Sequence, residues 1–350
     1  MRSESERPAA ENSRRAFLQK LGTLAAASGV VANATTAAST AAGTDTQPKV
    51  PTVRFGKYNV SRLIIGSNPV AGLSHLSHMI DVEMRAWNTP DRINQCFKRA
   101  EDLGINCMED GGQRVPKYNE AMGGHMMFTT RNTASLDESL KPGRGAAEIA
   151  KGGCIAIHHG GAGETGTDAW WRKGKLDRVR EWCKSVRDAG VLVAVTSHRP
   201  EVFDIIESQN WDVDYYMCCV YKYGRTQAEW EKAFAANPGM APAEVIHFND
   251  GPNSQHYGDG SLFVRGDPPE MYKVVKQTKK PCFVYKILAS GRLCDREEYV
   301  EQAFKECFAN IKPTDAVVVG MYDKQSDQYT INAGYARKYG SNAATTSSAL

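Results

Sequence analysis

Short apolar runs rich in β-branched and aromatic residues recur along the chain, separated by longer stretches whose apolar positions fall three and four apart. The short runs predict strands over 62–66, 105–110, 125–130, 154–158, 192–197, 214–221, 282–287 and 316–320. The longer stretches predict helices over 90–103, 176–189, 200–207 and 297–310, with Gly190 standing where a C-terminal cap belongs. Strands alternating with helices in this way predict an α/β fold with a parallel sheet, and eight such units predict a (β/α)8 TIM barrel whose functional groups lie at the C-terminal strand ends. An open doubly wound sheet is the alternative, but no Gly-x-Gly-x-x-Gly follows a strand to mark a dinucleotide turn. One irregular insertion, 237–269, is rich in Gly, Pro, Asn and Asp and contains His247, Asp250 and His256. Its length reads as a lid over the barrel mouth.

The first 50 residues follow neither pattern. Ser13-Arg14-Arg15-Ala16-Phe17-Leu18-Gln19-Lys20 precedes an uncharged run of small and apolar residues ending in Ala32-Asn33-Ala34. A basic front end, a run too short to span a membrane and a small-residue cleavage site predict a twin-arginine export signal over 1–34, read by the twin-arginine translocase. The mature chain is then expected to begin near Thr35 and to be exported, periplasmic or otherwise extracytoplasmic, with a flexible linker over 35–50, the barrel over 51–340 and a disordered tail over 341–350. No later stretch predicts a membrane span.

Charge narrows the partners. The chain carries 43 Lys and Arg against 40 Asp and Glu, and removing the signal leaves 38 against 37. So even a balance gives nucleic acid no electrostatic foothold, and a small molecule is the expected partner. The nine cysteines are odd in number and none is spaced Cys-x-x-Cys, which argues against a disulfide framework or a zinc knuckle. Cys107, Cys154, Cys218, Cys219 and Cys282 read as small buried hydrophobes in strands.

Several segments together carry a family resemblance. Arg54-Phe55-Gly56-Lys57 leads to Val60-Ser61-Arg62-Leu63-Ile64-Ile65-Gly66-Ser67; Gly104-Ile105-Asn106-Cys107-Met108-Glu109 and Ile155-Ala156-Ile157-His158 follow, then Ala194-Val195-Thr196-Ser197-His198-Arg199-Pro200-Glu201 and Ala289-Ser290-Gly291-Arg292-Leu293. Over nearly the whole mature length the chain resembles the aldo/keto reductase family. That resemblance implies a barrel, an NADP cofactor and an Asp-Tyr-Lys-His tetrad for hydride chemistry. Here Glu109 stands for the aspartate, Arg114 falls at the tyrosine spacing, Arg131 falls near the lysine, and His158 alone matches. Arginine supplies no proton at neutral pH, so Tyr118 is the candidate tyrosine if the loop carries an insertion. The nicotinamide contacts differ too: Thr196-Ser197 replaces a Ser-Asn pair, Met217 or Cys218 replaces a glutamine, and Lys286 stands where an aromatic often stacks. Gly320, Gln328 and Asn332 echo the cofactor-binding stretch, while Asp323 and Asp327 would repel a 2′-phosphate.

The altered mouth suggests other chemistry. Glu109 from the second strand, His158 and His159 from the fourth and its loop, and His198 from the fifth would converge on one rim, and Glu109, His158 and His198 have the composition of a divalent metal site. Glu109 and Asp110 are alternatively an acid/base pair without metal. Arg131 and Lys286 are placed to stabilise developing negative charge. Asn68 is a candidate hydrogen-bonding partner of a substrate hydroxyl; His75 and His78, three apart, read as a second ligand pair or one face of a short helix. Trp170 and Trp171 suit the apolar faces of a sugar. The expected function is therefore an exported enzyme acting on a carbohydrate or polyol by metal-assisted or acid/base isomerase or lyase chemistry. The alternatives are an NADP-dependent oxidoreductase using Tyr118 with His158, and a non-catalytic sugar-binding barrel.

Overall fold

The computed structural model describes residues 48–132, 145–223, 225–236, 263–264 and 266–341. The export signal, nearly all of the proposed linker, most of the proposed lid and the last nine residues lie outside these.

Eight parallel strands close into a barrel: β3 (Leu63–Gly66), β4 (Cys107–Met108), β5 (Met127–Asn132), β6 (Ala156–His159), β7 (Leu192–Ser197), β8 (Tyr215–Cys219), β9 (Cys282–Tyr285) and β10 (Ala316–Gly320), each paired with its sequence neighbours and β10 with β3. All eight overlap the predicted runs, with β5 extending two residues and β6 one residue beyond them. Helices wrap the outside, and two of them, Pro90–Leu103 and Glu297–Asn310, have the predicted bounds. Local chemistry explains the first: the Thr89 hydroxyl accepts from the Arg92 amide, Pro90 opens the helix, and Gly104 closes it at φ 89°.

Two features differ from the sequence reading. A hairpin of β1 (Thr52–Phe55) and β2 (Tyr58–Ser61) precedes the barrel. Gly56, at φ 55°, supplies the left-handed turn that a two-residue connection needs. The hairpin closes the N-terminal end: the Phe55 ring packs edge-on to Tyr215 and tilted against Phe283, 4.7 Å from each between centroids, and joins Val60 in the inner core. The insertion also ends earlier than 269, because the helix Asp267–Gln277 starts at residue 267 with Pro in its first turn.

Strand alternation separates two cores. Outward residues such as Ile65, Met108, Phe128, Ile157 and Val195 pack under the helices, while Ile64, Cys107, Ala156, Ala194, Tyr215, Met217, Phe283, Ala316 and Val318 fill the lumen. With the strand tilt of such barrels, the register stacks inward residues from alternate strands in layers. Gly66, Arg131, Thr196 and Tyr285 form the layer at the mouth, and Glu109, His158, Met217 and Val318 the layer beneath it. Apolar side chains and the hairpin therefore seal the bottom, and the polar groups gather at the C-terminal end.

Candidate active site

Glu109 follows β4, where Asp110 takes a left-handed φ of 52° and turns the chain away from the sheet. Its amide donates to the Ile65 carbonyl at 2.8 Å, and its carboxylate Oε2 accepts the Ser67 hydroxyl at 2.8 Å. The other oxygen, Oε1, lies 3.5 Å from His158 Nε2, an approach that stops short of a formed hydrogen bond. The opposite ring nitrogen, Nδ1, is fixed by Thr196 Oγ1 at 3.0 Å. Burial alone would disfavour a charged Glu109, but His158, Arg131 and Ser67 outweigh it and hold the carboxyl below its ordinary range. The side chain is 13% exposed and that of His158 1%, so this is an ionised carboxylate beside an imidazole in a nearly dry layer. Arg131 stands one layer above on β5. Its guanidinium contacts Asp110 at 3.2 Å, and its side chain is 40% exposed to the mouth.

A second polar group faces the same opening. The loop Gly160–Gly166 leads into the helix Thr167–Arg172, which presents Asp168. Asp168 accepts from His198 Nδ1 at 2.7 Å and from the Ser197 hydroxyl at 2.6 Å. His198 Nε2 lies 3.1 Å from the Tyr285 hydroxyl, and the ring stacks on Tyr223 at 4.4 Å between centroids. Lys286 donates to the Tyr223 hydroxyl. Burial drives the Tyr285 phenol well above its ordinary pKa, with Cys219, Asp168, Tyr223 and Glu109 adding to the shift.

Backbone strain collects at this end as well. Of the six non-glycine residues with positive φ among the described residues, His75, Asp110, Lys286, Ala289 and Ser290 lie in loops that follow barrel strands, and Asn210 alone lies at the other end, between the helix Pro200–Ser208 and β8.

The three-ligand metal set does not assemble. Both ring nitrogens of His198 are engaged by Asp168 and Tyr285, leaving only Glu109 and His158 together. Among the described residues no group of three or more His, Cys, Asp or Glu side chains is arranged to hold a metal ion. His159 points outward, packed edge-on against Trp182 and bonded to Thr167.

The residues named for the reductase alternative do not meet either. Tyr118 is fully buried in the helix layer, edge-on to Phe97, and its hydroxyl donates to Glu101 at 2.5 Å, so it offers no proton to the mouth. Gly320 is a packing position: a Cβ there would stand 2.6 Å from the Pro69 ring. The Gln328 side chain accepts the Tyr322 amide at 2.8 Å, and Asn332 is buried within the last helix. Asp327 caps that helix through the Thr330 amide and pairs with Arg99 at 3.0 Å, while Asp323 accepts from Trp87 and Cys96. A carboxylate already fills the anion-favouring helix start, so these residues do not fit a 2′-phosphate.

Asn68 stands in the short helix Ser67–Val70 on the rim, 2.8 Å from His75 Nε2. His75 thus partners Asn68, and His78 begins the next helix. Trp170 and Trp171 are half-buried in the helix Thr167–Arg172 that follows the β6 loop, under the cations of Lys173 and Arg199 respectively. The residues that sequence reasoning missed are Ser67, Asp168, Tyr223 and Tyr285. Tyr285 carried a signal, since alternation in Cys282-Phe283-Val284-Tyr285 turns it inward beside Phe283 at a strand's C-terminal end. Asp168 carried none, because its role depends on how the glycine-rich loop folds back.

No protein-family model matches the chain, and no curated protein does. Among solved structures it is similar to a truncated 3-deoxy-D-arabino-heptulosonate 7-phosphate synthase from Thermotoga maritima, with 10% identity, 84% of this chain and 92% of that one covered, and a TM-score of 0.44. A glycerol dehydrogenase from Gluconobacter oxydans gives 11% identity, 83% and 94% coverage, and 0.44. A sugar phosphate isomerase/epimerase from Parabacteroides distasonis gives 12%, 80% and 94%, and 0.37.

Proposed function

We propose that this chain is an exported enzyme that moves protons between carbon and oxygen in a carbohydrate or polyol-derived carbonyl compound, by isomerase or lyase chemistry. The observation that carries this reading is the Glu109–His158 pair, buried one layer beneath a half-exposed arginine at the C-terminal end of the barrel. Fixed charges in a dry site act more strongly than in water, and this end is where (β/α)8 barrels place their chemistry.

In the proposed reaction the Glu109 carboxylate takes a proton from the carbon next to a carbonyl. The C–H electron pair becomes the carbon–carbon double bond of an enediolate, and the carbonyl oxygen takes the negative charge, which Arg131 stabilises. His158, oriented by Thr196, steadies Glu109 in its charged form. Asn68 supplies a polar group at the rim for a substrate hydroxyl, Ser67 holds the Glu109 carboxylate, and Trp170 and Trp171 form a flanking apolar surface. Returning the proton to the neighbouring carbon gives an isomer; loss of a group from the next carbon gives a lyase product. The aldo/keto reductase resemblance supports descent from a reductase-like barrel whose tetrad has been rebuilt for this task. The paired arginines at 14 and 15 support export by the twin-arginine translocase, with residues 1–34 removed.

The test is incubation of the full-chain protein with aldoses, ketoses and polyols in heavy water without added nicotinamide. Deuterium at the carbon beside the carbonyl, read by NMR, is the expected result. In a parallel incubation with NADP added, oxidation or reduction that consumes it without solvent deuterium would establish the reductase alternative, and binding without exchange a sugar-binding barrel.

A further inference from the structure

We infer that Tyr285, His198 and Asp168 form a second proton relay, which shuttles a proton between two adjacent substrate oxygens and so makes an α-hydroxy carbonyl the preferred substrate. The inference rests on the proposed function, in which Glu109 handles the proton on carbon.

Three observations support the relay. The hydrogen bonds are in series: Tyr285 hydroxyl to His198 Nε2 at 3.1 Å, then His198 Nδ1 to Asp168 Oδ2 at 2.7 Å. The carboxylate fixes the tautomer, since an ionised Asp168 accepts the Nδ1 proton and leaves Nε2 to accept the phenol. The orientation is also enforced from both sides. Asp168 takes the Ser197 hydroxyl as well, and the imidazole lies flat on Tyr223, 10° from parallel. At the other end of the series Tyr285 belongs to the mouth layer and is half-buried, so its hydroxyl can meet a molecule held over Glu109. The arrangement is that of a carboxylate–imidazole pair activating a hydroxyl, with a phenol in place of an aliphatic alcohol.

The step balances. As carbon regains its proton from the Glu109 carboxyl, the adjacent hydroxyl passes its proton to the Tyr285 oxygen, the phenolic proton passes to His198 Nε2, and the imidazolium is held by Asp168. The electron pair freed from that O–H bond forms the new carbonyl. The same series run backwards delivers a proton to the first oxygen, so carbonyl and hydroxyl exchange places and the enzyme recovers its starting protonation. The strongly raised pKa of Tyr285 disfavours a standing phenolate, which suits a group that passes protons in concert.

The relay makes a prediction that a merely structural network does not. Without Tyr285, Glu109 still removes and returns the carbon proton, so solvent deuterium enters recovered substrate while isomerisation stalls. The experiment compares the full-chain wild type with Tyr285→Phe and Asp168→Asn on a panel of free and phosphorylated aldoses and ketoses of three to six carbons in heavy water. Product formation should fall by about 100-fold in both variants, the usual scale for losing an acid/base group, while exchange into substrate stays near the wild-type rate. Equal loss of both rates, or no loss of either, in folded variants overturns the relay and leaves the function of Glu109 standing. A wild type that neither exchanges nor converts any panel member overturns both.

Discussion

Glu109 meets His158 through one carboxylate oxygen at 3.5 Å and Ser67 through the other at 2.8 Å. The carboxyl is thereby held in its charged form inside the barrel, at a pKa below its ordinary range. A depressed folded-state pKa contributes stability above the ordinary carboxylate range, and that contribution is lost as pH falls from there through the folded value. Thermal unfolding of wild type and Glu109→Gln, measured as a function of pH, should differ most near neutrality and converge in acid. A difference that grows on acidification would contradict the assignment.

His159, next to His158 in the chain, faces the helices instead of the lumen. Burial lowers its pKa to about 4, with the Gly160 backbone opposing and His158 reinforcing the shift. The folded state prefers the neutral ring, so wild-type stability should decline as pH falls from about 6.5 towards 4. In His159→Phe, which retains an aromatic ring against Trp182, that decline should flatten. Activity at neutral pH should persist, since His159 does not face the lumen.

Tyr118→Phe distinguishes the buried tyrosine from a catalytic one. The variant loses the hydrogen bond to Glu101, which should cost about 1 kcal/mol of stability in denaturant titration. Turnover should be unchanged. A selective loss of turnover would restore the reductase assignment of this residue.

Gly320→Ala tests the packing beneath Asn68. The added methyl would meet the Pro69 ring at 2.6 Å and must push the short helix Ser67–Val70 outward. Overpacking of this kind costs about 1–3 kcal/mol. Because Ser67 and Asn68 ride on the same helix, activity should fall together with the melting temperature; unchanged values of both would show that the helix yields freely.

These contrasts mark what sequence can disclose. The pattern of short continuous apolar runs located all eight barrel strands, since inward and outward faces are both buried and each strand is bounded by Gly, Pro or polar residues. It missed the β1–β2 hairpin because four-residue strands with polar outer positions leave little periodic signal. Glu109, His158 and Arg131 are legible from their places at strand ends. The departure of His198 from that group is not, because it depends on Asp168, thirty residues away in sequence and brought in by a loop with no periodic pattern. Tyr118 misled for a related reason: spacing along a loop does not reveal that the chain turns into the helix Val115–Met122 and buries the phenol against Phe97.

The central claim is that Glu109 exchanges a substrate carbon proton with solvent without help from a nicotinamide. The most direct measurement is the rate of deuterium incorporation beside the carbonyl by wild type and Glu109→Gln, at neutral pH in heavy water with no nicotinamide present. The account predicts stereospecific incorporation by wild type and a loss of at least about 100-fold in the variant, with an unchanged folded-state circular dichroism spectrum. Equal incorporation by the two proteins would contradict it.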